Sequence, residues 1–238
     1  MPYYGYARKD RKDEGRVPIT AKLVANLLTT AGADRILTLD LHATQIQGFF
    51  DVPVDHLFAK PIFVQYFREH PLPNLAFAAP DVGRAKMARA YAEELGGELV
   101  MVDKRRLSAE QTDVGVVIGD VSGKNVVMVD DMITTGGTVL TAALALKERG
   151  AATIRVAAVH AIFCGPAAER LSAAPIEEIL VTDTVPLNSR AQALEEQGKM
   201  RVLSVAGLLG EAIRRIHRNE SVSSLFSGSP KESAQWLL

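Results

Sequence analysis

Short apolar runs alternate along this chain with segments of helical period, and that alternation restricts the fold more than any other feature. Residues 36–39, 75–79, 98–102, 126–129, 154–159 and 179–181 read as strands, short and apolar enough to be buried on both faces. Residues 20–31 read as a helix whose apolar stripe is Leu23, Val24, Leu27, Leu28 and Ala31, with Gly32 at its C-terminal turn. Residues 85–95 and a segment ending at Arg149, closed by Gly150, read likewise. Strand, helix and strand in repetition build βαβ units, hence an α/β fold with a mostly parallel sheet and flanking helices. Such sheets bind ligands beyond the carboxyl ends of their strands. Four strand ends in succession carry charge here: Asp40 with His42, then Asp81, then Lys104 with Arg105 and Arg106, then Asp130 with Asp131. One such cluster is what any turn needs, but four in a row describe the rim of a charged site.

Composition narrows the class. With 238 residues, 47% hydrophobic and 23% charged, the chain can bury a core of one or two domains and is neither a disordered tail nor a rod. Lys plus Arg number 27 against 28 Asp plus Glu, a formal charge of −1, so no global basic field draws nucleic acid or an anionic membrane. The single cysteine, Cys164, excludes an internal disulfide and a thiolate zinc cage; it fits a reduced cytoplasmic setting, as a small buried apolar side chain. No apolar run approaches the 18 or so residues of a membrane span, and the first residues lack the apolar core of a signal peptide.

The most informative stretch is 126–138, Val-Val-Met-Val-Asp-Asp-Met-Ile-Thr-Thr-Gly-Gly-Thr. Its second half, Thr134, Thr135, Gly136, Gly137 and Thr138, suits anion capture. Glycines let successive N–H groups converge, threonine hydroxyls add donors, and a following helix N-terminus contributes positive partial charge. Asp130 and Asp131 would repel a phosphate, so their natural partners are sugar hydroxyls or a metal-bound water. Phosphate donors beside carboxylates for hydroxyls describe a sugar phosphate. The bland alternative is a tight strand-to-helix turn with acidic caps. No G-x-G-x-x-G follows a strand, and 119–125 fails as a Walker A loop because Asn125 stands where Ser or Thr is required.

This stretch resembles the phosphoribosyl-diphosphate loop of type I phosphoribosyltransferases and of their relative, the ribose-phosphate pyrophosphokinase family. Five further segments are similar to the pyrophosphokinases: Tyr3-Tyr4-Gly5-Tyr6-Ala7-Arg8-Lys9-Asp10-Arg11-Lys12, then Val17-Pro18-Ile19-Thr20-Ala21-Lys22, then Asp40-Leu41-His42-Ala43-Thr44-Gln45-Ile46-Gln47-Gly48-Phe49-Phe50, then Pro80-Asp81-Val82-Gly83, and Asp103-Lys104-Arg105-Arg106. The likeness runs over residues 2–226. It implies a phosphoribosyltransferase-like (type I) parallel sheet with flanking helices, in two tandem related domains of which the first is incomplete. Residues 1–57 would be the remnant of that first domain and 58–202 the second. Residues 203–226 would hold a helix returning to the first domain, with Leu208, Leu209, Ala212, Ile213 and Ile216 on one stripe, and 227–238 a tail.

The same resemblance implies a reaction and its residues. The family moves the pyrophosphoryl group of Mg-ATP onto the anomeric hydroxyl of ribose 5-phosphate. By similarity Asp130 and Asp131 hold the ribose hydroxyls, and Thr134, Thr135, Gly136, Gly137 and Thr138 cradle the 5-phosphate. Lys104 and Arg106 neutralise charge on the transferring group, with Arg106 also at the sugar phosphate. Arg8, Lys9, Asp10 and Arg11 contact ATP, and His42 with Asp81 sits at the Mg2+ site. From chemistry alone a histidine is a poor magnesium ligand, because Mg2+ prefers oxygen. Arg8, Asp10 and Arg11 also suit a surface ion-pair cluster, while Tyr3, Tyr4 and Tyr6 either stack on adenine or simply pack. His56, His70, His160 and His217 do not cluster and carry no assigned role. The family's partners are ATP and ribose 5-phosphate, in a homo-oligomer, a hexamer.

Three departures from the family pattern stand out. Family members carry a long segment before Pro-Tyr-x-x-Tyr-Ala-Arg, whereas here Met1 immediately precedes it, which would leave sheet edge and apolar helix face of the first domain exposed. The acid before Thr-Gly-Gly-Thr is Thr134. The glycine pair after Pro-Asp is Gly83-Arg84, where the arginine either crowds the loop or adds a phosphate contact. Two rival readings use the same loop: a phosphoribosyltransferase, which needs no ATP segment, and a non-catalytic regulatory subunit or inactive fragment that keeps the ribose-phosphate pocket.

Overall fold

The computed structural model describes residues 1–12, 14–105 and 114–227, with the side chains of 104, 105, 114, 115, 226 and 227 left out of the description. The chain divides into two compact units, Ile62–Val205 and Met1–Pro61 with the described residues of Ala206–Leu238.

In chain order the elements are α1 (Thr20–Thr30), β1 (Ile36–Leu39), β2 (Val54–Leu57), α2 (Lys60–Glu69), β3 (Leu75–Ala79), α3 (Ala85–Leu95), β4 (Glu98–Arg105) and β5 (Val114–Ile118). There follow β6 (Asn125–Ile133), α4 (Gly137–Glu148), β7 (Thr153–Ala161), α5 (Ala167–Ala173), β8 (Glu178–Thr182), α6 (Ser189–Glu196), β9 (Met200–Leu203), α7 (Ala206–His217) and α8 (Ser224–Ser227). Short 3-10 turns occupy Thr44–Phe49 and Val82–Arg84.

The larger unit is built on a seven-stranded sheet in the order β5-β4-β3-β6-β7-β8-β9. All its pairings are parallel except β4 with β5. Burial on both faces explains the strands' composition: Val126, Val127, Met128 and Val129 of β6 are each at most 1% exposed. The core around them is made of aliphatic residues of the central strands and the alanine-rich faces of α4 and α5. Small side chains there let helix and sheet approach closely.

The smaller unit has a two-stranded parallel sheet, β1 with β2 in register from Ile36 opposite Val54. Residues 1 and 2 run beside β1: the Met1 ammonium donates to the Leu37 carbonyl, and Leu39 N–H to that of Pro2.

Several expectations are corrected. The acids Asp130 and Asp131 lie inside β6, not beyond it, because the β6–β7 ladder continues to Ile133 opposite Ala161. Likewise β4 continues through Asp103, Lys104 and Arg105, held by antiparallel pairing to β5, a strand without a counterpart in the sequence reading, as are β2 and β9. Helix α1 buries Ala21 and Ala25 with Val24 and Leu28 packed beside them, whereas Leu23 and Leu27 of the expected stripe are 48% and 59% exposed, so only part of that stripe faces the core. On α7, Leu208 and Ala212 are buried but Ile213 is exposed. Cys164 is exposed, not buried. Among the described residues no helix is long and apolar enough to cross a membrane.

Candidate active site

Strands β3 and β6 are neighbours, yet the chain leaves them in opposite directions, through α3 to β4 on one side and through α4 to β7 on the other. Their carboxyl ends therefore form the switch point of the sheet, where an α/β fold opens its binding crevice. Two loops meet there.

The first is the β6–α4 loop. Gly136 takes φ +71° and caps α4, whose first turn starts at Gly137. A side chain at 136 would be strained by that backbone and would place its Cβ 3.3 Å from Leu171 Cγ and 3.5 Å from the Ala167 carbonyl oxygen, so α5 presses against the loop. Arg170, also on α5, donates from Nη1 to the Thr135 carbonyl at 3.0 Å. The Thr134 carbonyl accepts Cys164 N–H. Thr135 is exposed, while Thr134, Gly137 and Thr138 are half-buried. The loop is thus held through the carbonyls of Thr134 and Thr135, and it leads directly into the positive N-terminal end of α4.

The second is the β3–α3 turn. Asp81 Oδ1 accepts Arg84 N–H and caps this turn. Arg84 then reaches back across the switch point. Its Nε lies 3.1 Å from Asp130 Oδ1 and its Nη2 2.9 Å from Asp131 Oδ1. The three side chains are 15%, 11% and 3% exposed, and Asp131 N–H donates to Asp130 Oδ1 at 2.8 Å. Burial and the adjoining Asp131 push the Asp130 carboxyl well above the usual carboxylate range, and the Arg84 guanidinium acts in the opposite sense. Arg84 thus neither merely crowds its loop nor stands ready as a phosphate contact, the two outcomes expected of it. Its guanidinium is committed to the two acids.

Lys104 lies on β4 opposite Gly115, with its side chain outside the described set, and Arg106 lies outside the described residues.

In the smaller unit the Asp40–His42 segment is tightly fixed. Asp40 adopts φ +37°, is 5% exposed, and accepts Ala59 N–H at Oδ2, 2.7 Å away. The Leu41 N–H donates to His56 Nε2. His42 projects from this turn half-buried. Tyr4 is a core residue, 2% exposed, donating its hydroxyl to the Ala21 carbonyl and meeting Phe50 edge-on, so packing accounts for it. Tyr6 is half exposed. Arg8, Lys9 and Arg11 are exposed, and Asp10 accepts from Gln45 Nε2 at 2.9 Å. Among the described residues Arg8, Asp10 and Arg11 form no ion-pair cluster, and no three His, Cys, Asp or Glu side chains converge as a metal site.

Residues 102–227 match the phosphoribosyl synthetase-associated domain, and residues 1–32 match the N-terminal domain of ribose phosphate pyrophosphokinase. The ribose-phosphate pyrophosphokinase of Chlorobaculum tepidum is 53% identical over 227 residues, covering 95% of this chain and 69% of that protein. The chain belongs to the ribose-phosphate pyrophosphokinase family. Its relative from Rhodopirellula baltica is 52% identical, with 95% of this chain and 71% of that protein covered. The crystal structure of phosphoribosylpyrophosphate synthetase from Mycobacterium smegmatis superposes with a TM-score of 0.83 at 42% identity, over 92% of this chain and 70% of that one. The α/β architecture with its parallel-dominant sheet is therefore that of the pyrophosphokinase family. The contact of Arg170 with the loop is one that sequence reasoning missed, since nothing local marks a helix surface arginine; the packing of α5 on the loop is what reveals it.

Proposed function

We propose that this chain transfers the terminal pyrophosphoryl group of Mg-ATP to the anomeric hydroxyl of ribose 5-phosphate, giving phosphoribosyl diphosphate and AMP. The observation that carries this reading is the junction at one switch point of a donor-rich loop with two acids that any phosphate would avoid. A ligand satisfying both has a phosphate at one end and hydroxyls at the other.

In this reading Thr134, Thr135, Gly136, Gly137 and Thr138, with the first N–H groups of α4, hold the 5-phosphate, and Asp130 and Asp131 accept from the ribose hydroxyls. The anomeric oxygen attacks the β-phosphorus. The bond from that phosphorus to the α,β-bridging oxygen breaks, AMP leaves with the bridging oxygen, and the hydroxyl proton passes to solvent. Such transfers depend on positioning and charge neutralisation, which Lys104 and Arg106 supply, while Arg8, Lys9, Asp10 and Arg11 bind ATP. Asp81, half-buried at the end of β3, offers the hard oxygen that Mg2+ prefers. His42 joins it by family resemblance, though as a softer donor. Mg2+ bound with ATP neutralises phosphate charge. A homo-oligomer, a hexamer by family resemblance, and a reducing cytoplasmic setting complete the proposal.

The test is AMP release from Mg-ATP by the purified chain with and without ribose 5-phosphate, beside Lys104→Ala. Release that depends on the sugar phosphate and collapses in the variant is the expected result. Absence of release from a folded chain that binds ribose 5-phosphate would make it a non-catalytic member of the family.

A further inference from the structure

The acid pair at the switch point meets its counter-charge from within the chain. Two carboxylates on adjacent residues, each at most 11% exposed, repel each other and lack the water that would screen them. Oxygen-rich pairs of this kind ordinarily recruit a divalent cation. Here a guanidinium bridges them, one donor per carboxylate, at 3.1 and 2.9 Å. Its backbone is fixed by the Asp81 cap one turn earlier, so it is delivered from a neighbouring strand end and not from a flexible tail. A fork of fixed geometry spanning two acceptors is a use to which arginine is suited and lysine is not.

We infer that Arg84 is a resident counter-cation of Asp130 and Asp131, filling the place of a divalent metal there, so that the sugar-binding acids work without metal and the reaction's cation requirement is confined to the nucleotide side. This rests on the proposed sugar role of the acid pair, and it makes Arg84 a positioning residue that supplies counter-charge to both carboxyl groups and aims them. Without Arg84 the pair has no positive partner and would take up a cation; with Arg84 bridging both acids it needs none.

The experiment uses the full chain without nucleotide. Mn2+ binding is followed by electron paramagnetic resonance in the parent, in Arg84→Gly, in Arg84→Lys and in the double variant Arg84→Gly/Asp131→Asn. Ribose 5-phosphate binding is followed by calorimetry with EDTA and with Mn2+. Arg84→Gly should gain one Mn2+ equivalent per chain over the parent and lose it again with Asp131→Asn. Its sugar-phosphate affinity should fall about tenfold in EDTA and recover in Mn2+, whereas the parent's affinity is the same in both. Arg84→Lys, with one compact charge, should lie between. Equal Mn2+ stoichiometry in parent and Arg84→Gly overturns the inference, as does parent binding that requires the metal. A parent chain that fails to bind ribose 5-phosphate removes the sugar reading, while the Mn2+ titration still decides whether Arg84 stands in for a cation.

Discussion

The backbone N–H of Leu41 donates to Nε2 of His56 at 2.9 Å, inside a site where the imidazole is 4% exposed. A ring nitrogen that accepts a hydrogen bond carries no proton, so His56 is neutral in the folded chain. Burial lowers its pKa from 6.5 to about 4. Between those values the unfolded chain binds a proton that the folded chain refuses. Stability from this group is thus complete above about pH 6.5 and drains away as the pH falls toward 4, by roughly 3 kcal/mol at about 1.4 kcal/mol per unit. Urea midpoints measured from pH 7.5 to 4 should show that fall. In His56→Gln, whose amide oxygen accepts without titrating, the midpoint should lose this component; an unchanged slope would assign the pH dependence elsewhere.

Gly136→Ala should destabilise the larger unit by about 1–3 kcal/mol, the cost of a left-handed non-glycine residue, with the crowding against Leu171 acting in the same direction. Thermal denaturation reads that loss, and calorimetry should show weaker ribose 5-phosphate binding by the displaced loop. A variant as stable as the parent, with equal affinity, would show that the loop relaxes freely.

Arg170→Ala removes the guanidinium that steadies the Thr135 carbonyl. One exposed hydrogen bond is worth about 0.5–1.5 kcal/mol, so sugar-phosphate affinity should weaken by roughly two- to tenfold. The melting temperature should fall by only about 1–6 °C. Steady-state kinetics should show the loss in the Michaelis constant for ribose 5-phosphate with kcat retained; a fall confined to kcat would place Arg170 in the transfer step itself.

Lys104→Ala should reduce ribose-5-phosphate-dependent AMP release by about 10²–10³-fold, the usual effect of removing one preorganised charge from a transferring group. Sugar-phosphate binding without ATP should persist. Turnover at the parental rate would remove Lys104 from the proposed chemistry.

The reach of the sequence is uneven for physical reasons. Strands β1 and β3 are legible to the residue, because Ile36–Leu39 and Leu75–Ala79 are apolar runs cut off by Asp40 and Pro80. β2 is hidden because Asp55 and His56 give it a polar centre, although Arg35 pairs with the first and Leu41 satisfies the second. β6 is legible as a strand but not in length: two acids look like its end until the ladder to β7 is seen to pass them. On α1, Leu23 and Leu27 look like core residues by spacing, yet the core takes small Ala21 and Ala25, with Val24 and Leu28 packed beside them. The phosphate-type loop is written locally and so can be read locally. The link from Arg84 to Asp130 joins positions 46 residues apart and leaves no local trace.

The central place of β6, between β3 and β7, has a consequence for assembly. Until β6 inserts, β3 has no neighbour on that side, the crevice has only one wall, and Arg84 has nothing to grip. The two loops of the crevice are therefore brought together by the same non-local pairing that joins the two halves of the larger sheet. Occupancy by a sugar phosphate should therefore raise the resistance of that unit to unfolding, as RT ln(1 + [L]/Kd) requires of any ligand that sees the folded state alone.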